Sequence, residues 1–262
     1  MKQADPRALD SRFTIGRVLA LTARSWLGCR WPIALIVVPT AIADVSLRWL
    51  VDDHLGGISG GWRDMILMWL DVPVECVAFV SIIVAALLYA RGQRTGVRNM
   101  LSIPWRRTPV VAVAGLILQT ITYWPIPLLP WPEDSEFRLL VDYLVLTINV
   151  LAFDVLAFVL TPALLVENRS LIDTFRRSVQ FALRHPWRLL AIDIGVWVTY
   201  LMFSSAVTYL YYQTGEWWTN LAWVMWVAIM LPFTCCLGAA AYHLIRQEQE
   251  GPAPEALARV FD

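Results

Sequence analysis

The sequence predicts an all-α fold, a polytopic membrane helical bundle of about six transmembrane helices with amphipathic helices on its cytoplasmic face. Three observations predict it. Hydrophobic residues make up 58% of the 262 and charged residues only 16%, with a mean hydropathy of +0.56. Soluble domains carry about 25% charge. Six apolar segments are each long enough for a bilayer, which needs about 20 residues per helix. The arginines fall almost entirely on one side of those segments.

The expected spans run 32–51, 66–90, 110–129, 139–166, 189–212 and 218–244, within one integral domain of residues 1–246. Residues 247–262 read as a polar cytoplasmic tail. Ala41-Ile42-Ala43 resembles a cleavage site, but the basic stretch before it is too long for a signal peptide, so the first span reads as uncleaved. Of the 21 basic residues, 18 lie in the N-terminal segment, the tail and the loops after spans two and four. The positive-inside rule puts that side, and both termini, in the cytoplasm. Tryptophans flank the spans as an interfacial belt: Trp31, Trp105 and Trp187 on the arginine-rich side, and Trp49, Trp62, Trp124, Trp131, Trp217 and Trp218 on the other.

A repeat is visible in the spacing. Pro32, Pro109 and Pro186 are 77 residues apart, as are Arg30, Arg107 and Arg184. Proline suits the first turn of a helix, where its missing N–H costs nothing. Each pair therefore marks a basic segment entering a span. Three hairpins entering from one side would be parallel repeats around a pseudo-threefold axis, unlike inverted transporter repeats.

Two basic segments are amphipathic. In 170–185, Leu171, Phe175, Val179 and Leu183 recur every four residues, while Arg176, Arg177, Gln180 and Arg184 take other faces. Ser170 with Asp173 begins it as a capping box does. In 10–28, Ile15, Leu19, Thr22 and Trp26 oppose Arg17 and Arg24. Such helices lie in the membrane interface, with arginines toward anionic headgroups. The plain alternative is a linker helix packed on its own bundle. Arg30, Arg107, Arg176, Arg177 and Arg184 are the candidate headgroup-binding residues.

The stretch FVLTPALLVENRSLIDTFRRSVQFALRHPWRLLA, residues 158–191, resembles a pattern in YciC-like bacterial membrane proteins and in the membrane domain of glycerophosphoryl diester phosphodiesterases. The shared elements are a span containing Pro162, an acidic turn at Glu167, and a helix ending in an aromatic residue and arginine before the next span. FTIGRVLALTARSWLGCRWP, near the N-terminus, looks like the opening of the same group. The resemblance implies a multi-pass protein of a bacterial inner (plasma) membrane. It implies no hydrolysis and supplies no catalytic residue.

Ionisable groups within spans are costly in lipid and face the bundle interior or water. Asp44, Arg48, Glu75 and Asp154 are the candidates for a substrate or ion pathway. Asp44 and Arg48 are four residues apart and share a helix face, and Glu75 of the next span could join them. Asp154 and Asp193 lie on consecutive spans and could approach one another. A structural ion pair, with acids reaching water, is the competing reading.

No motif of a zinc peptidase, serine hydrolase or phosphate-binding loop occurs. The expectation is no enzyme, cofactor, metal or nucleic-acid partner. The expected partner is anionic membrane lipid, and self-association stays open. Cys29, Cys76, Cys235 and Cys236 sit in or beside apolar segments, so no structural disulfide is expected. Two functions remain: a non-enzymatic scaffold or lipid-interacting protein, and a small transporter or channel using the intramembrane acids.

Overall fold

The computed structural model describes residues 13–55, 60–93, 96, 100, 107–123, 147, 151, 154–167, 169–214 and 216–250. Eight helices and no strand occur among them: α1 (Ile15–Gly28), α2 (Arg30–Leu55), α3 (Gly60–Ala90), α4 (Thr108–Tyr123), α5 (Asp154–Val166), α6 (Leu171–Arg184), α7 (Pro186–Thr214) and α8 (Glu216–Glu250). The all-helical class is as expected.

Three stretches are long and apolar enough to cross a membrane: Arg30–Val51, Pro186–Leu210 and Val224–Gln249. Glu75–Ala90, Thr108–Leu118 and Asp154–Val166 are shorter apolar helices. Within the predicted fourth span, 139–166, most of the residues before 154 lie outside the described residues. Only 11% of the most apolar window of the α7 stretch is buried, and Val198, Leu201, Met202 and Tyr209 stand exposed along the stretch. A soluble protein rarely presents so long an apolar surface; lipid accepts it. Trp31 and Trp187 are exposed at the start of α2 and α7, and Trp49 and Trp218 are exposed near the other ends.

The core is built from the C-terminal halves of α3, α5 and α8. Ile82–Leu88, Leu160 and Ala163–Val166 are buried, as is Cys235–Tyr242. Small residues let these backbones approach: a Cβ on Gly238 would stand 3.1 Å from the Phe158 carbonyl oxygen. All four cysteines are buried in this packing. α8 runs on past the predicted span end at 244 to Glu250, which draws residues 247–250 of the expected tail into the helix.

The prolines occupy first turns, but unequally. Pro186 opens α7, Pro109 is second in α4 and Pro32 is third in α2. Helix starts give a better register. α1 and α6 both have 14 residues, N-caps at Thr14 and Ser170, and C-caps at Cys29 and His185. The longer helices that follow, α2 with α3 and α7 with α8, begin at the same offset of 156 residues (30 to 186, 60 to 216). Their buried faces also coincide: Val18, Thr22 and Ser25 in α1 match Thr174, Ser178 and Phe181 in α6. The middle basic segment lies mostly outside the described residues.

α1 docks lengthwise on α8. Trp26 meets Phe233 edge-on at 6.3 Å, and the Phe13 N–H donates to Glu248 Oε2 at 3.0 Å. These contacts run in opposite directions along the chain, so the helices are antiparallel. α1 therefore follows the end of α8 in space as α6 follows α5 in sequence.

Candidate functional site

At the arginine-rich end, α6 and the last turn of α8 enclose a cleft of about 430 Å³. Arg169, Asp173, Arg176, Arg177, Gln180 and Gln249 line it, with Phe181 behind. Three guanidinium groups thus face one lining carboxylate.

Helix α6 divides into three sectors. Thr174, Ser178 and Phe181 are buried against the bundle. Leu171, Ile172, Phe175 and Leu183 form an exposed apolar stripe. Asp173, Arg176, Arg177 and Gln180, spaced by three or four residues, lie between these sectors and face the cleft. The helix is held by its cap: the Asp173 N–H donates to Ser170 Oγ at 3.1 Å, and the Ser170 hydroxyl donates to Asp173 Oδ2 at 2.6 Å. Asp173 is thereby spent on the helix N-terminus, where negative charge is favoured.

Beneath the cleft lies Glu167, its side chain 3% exposed. Tyr242 donates its hydroxyl to Glu167 Oε1 at 2.9 Å. Oε2 faces Arg177 at 3.4 Å and Arg169 at 3.6 Å. Arg246 reaches the Tyr242 hydroxyl at 3.5 Å, and the Arg177 guanidinium sits 5.0 Å over the Phe181 ring. One carboxylate therefore anchors two cleft arginines. Burial lowers the pKa of Arg177 from its ordinary value, Glu167 opposes the shift, and Arg169 and Arg246 add to it. Crowded guanidinium groups of this kind favour an anionic ligand.

The candidate headgroup residues separate into two groups. Arg176 and Arg177 line the cleft. Arg107 instead donates to the carbonyls of Leu164, at 3.0 Å, and Glu167, fixing the chain just before α6. Arg188 does the same before α1, donating to the Phe13 carbonyl. Arg30 and Arg184 are exposed at helix ends away from the cleft lining. Sequence reasoning missed Arg169 and Gln249 as lining residues. The spacing of Arg169, Asp173, Arg176 and Gln180 along one helical face was the available signal for the first.

The pathway candidates are scattered. Asp44 is buried on α2. The Arg48 side chain lies outside the described residues, and so does the expected Asp44–Arg48 pairing. Glu75 is half-buried on α3, within electrostatic reach of Cys235 on α8. Asp154 begins α5, accepts a hydrogen bond from Trp197 and lies within electrostatic reach of Asp193. Among the described residues, no group of three or more His, Cys, Asp or Glu could hold a metal.

No family model, curated protein or solved structure matches the chain.

Proposed function

We propose that this chain is a non-enzymatic, six-span protein of the bacterial inner membrane, with cytoplasmic termini, that binds an anionic lipid headgroup in the α6–α8 cleft. The observation that carries the reading is the joining of the three-arginine cleft to the exposed apolar stripe of α6. A lipid needs both features: guanidinium groups for phosphate oxygens and an apolar surface reaching into the acyl region. The resemblance to YciC-like proteins points to the same membrane and, like this reading, assigns no chemistry.

The test is lipid retention by native mass spectrometry, with the protein purified from nanodiscs of mixed anionic and zwitterionic lipid. Anionic lipid is expected to be retained selectively, and less so as salt rises. Arg176→Gln should lower occupancy about five-fold, as removing one basic residue near a charged surface costs about 1 kcal/mol. Equal retention of both lipid classes would sink the proposal.

A second reading, a small transporter or channel using Asp44, Arg48, Glu75 and Asp154, draws on the burial of Asp44 within α2. It requires that Glu75→Gln or Asp154→Asn abolish a measured flux in proteoliposomes without unfolding the protein.

A further inference from the structure

Asp193 stands apart from the cleft and from every ion pair described above. It is 1% exposed, and among the described residues neither carboxylate oxygen has a hydrogen-bond partner. Seven residues separate it from Pro186 at the start of α7, about 10 Å along the helix axis. Among the described residues, the charged group within its electrostatic reach is Asp154 of α5, itself a carboxyl. Among the described residues, no arginine or histidine of α6 or α8 comes within that reach. Trp197, one turn further along α7, gives its hydrogen bond to Asp154 rather than to Asp193.

An ionised carboxylate so placed is shut off from solvent, has no donor or countercharge among the described residues, and is repelled by its neighbour. Buried charge without compensation is not sustained; the group neutralises by taking up a cation. A proton is the smallest and needs no coordination shell, and no other oxygen donor is bonded to either Asp193 oxygen. We propose that Asp193 is a proton-binding site within the membrane bundle, loaded from the arginine-rich end and modulated by the charge state of Asp154.

Infrared spectroscopy of the whole protein in nanodiscs tests this directly. At about pH 7, well above the ordinary aspartate value of about 3.9, the carbonyl band of an un-ionised carboxyl is expected. Asp193→Asn should remove it, and Asp193→Glu should keep it at a shifted frequency, which covers the case in which the asparagine variant does not fold. Asp154→Asn removes a like charge, so the Asp193 band should vanish at lower pH than in the wild type. A wild-type spectrum without that band at about pH 7 overturns the proposal. So does a band that sodium abolishes at constant pH, which would make the ligand a metal cation.

Discussion

α1 and α6 are the same device put to two uses. Each is a 14-residue helix with a hydroxyl N-cap and three buried positions in equivalent places. Each is secured by an arginine that grips the chain just before the cap, Arg188 for α1 and Arg107 for α6. The difference lies in what surrounds the shared frame. α1 is pressed onto its neighbours through Trp26, Phe13 and Gly28, the last lying directly against the Tyr89 ring. α6 has Arg184 where α1 has Gly28, and its polar sector borders open space. The comparison teaches that one packing frame can also carry an open, arginine-lined cleft when one sector is released from its neighbours.

The comparison breaks first at Glu167. Glu167→Ala leaves two arginines without their buried carboxylate. It should cost about 3 kcal/mol, read as a lowered Tm in detergent, with loss of selective lipid retention. Gly28→Ala comes next: its Cβ would collide with Tyr89, and overpacking of this kind costs about 2 kcal/mol. Arg184→Ala, at the equivalent exposed place on α6, should leave Tm nearly unchanged. A tolerated Gly28→Ala would mean that α1 is not held tightly.

The caps give smaller effects. Ser170→Ala should destabilise by about 1 kcal/mol. Thr14→Ala should cost less, because the Arg17 N–H reaches its hydroxyl at 3.4 Å against 3.1 Å for the α6 cap. Thermal melts of the two variants side by side decide the order.

The smallest expected effect is a pH dependence at the junction of the two devices. His185 caps α6, packs 5.0 Å from the Phe13 ring, and lies 3.5 Å from Glu248. Burial lowers its pKa below the ordinary 6.5; Glu248 opposes the shift, and Arg188 and Arg184 add to it. The folded state thus prefers the neutral ring. Its contribution to stability is complete above about pH 6.5 and is lost as pH falls below that value. Tm should decline on acidification through this window, and His185→Gln should flatten the decline.

Much of the fold was legible because helices in lipid announce themselves by apolar length. The Ser170–Asp173 cap and the amphipathic stripe of α6 were equally plain, being local in sequence. The prolines Pro32, Pro109 and Pro186 suggest three units; between the first and the last, helix starts offset by 156 residues give the register, because proline fits more than one position in a first turn. The cleft was only half legible. Arg176 and Arg177 show on the wheel of α6, but Gln249 comes from a helix end some 70 residues away, where packing decides the meeting. Arg107 carried the expected charge but is engaged with backbone carbonyls, which spacing does not reveal. Asp193 was visible as a residue; its lack of a hydrogen-bond partner among the described residues belongs to the packed state alone.

The seating of α1 on the last helix also sets an order of assembly. Trp26, Ser25 and Phe13 face Phe233, Cys236 and Glu248, residues that leave the ribosome more than 200 positions later. α1 meets Tyr89 of α3 early, but the face it turns to α8 must wait, unmatched, through the synthesis of nearly the whole chain. The first of the described helices completes its packing among the last, and any truncation before residue 233 leaves it without the α8 half of its seat.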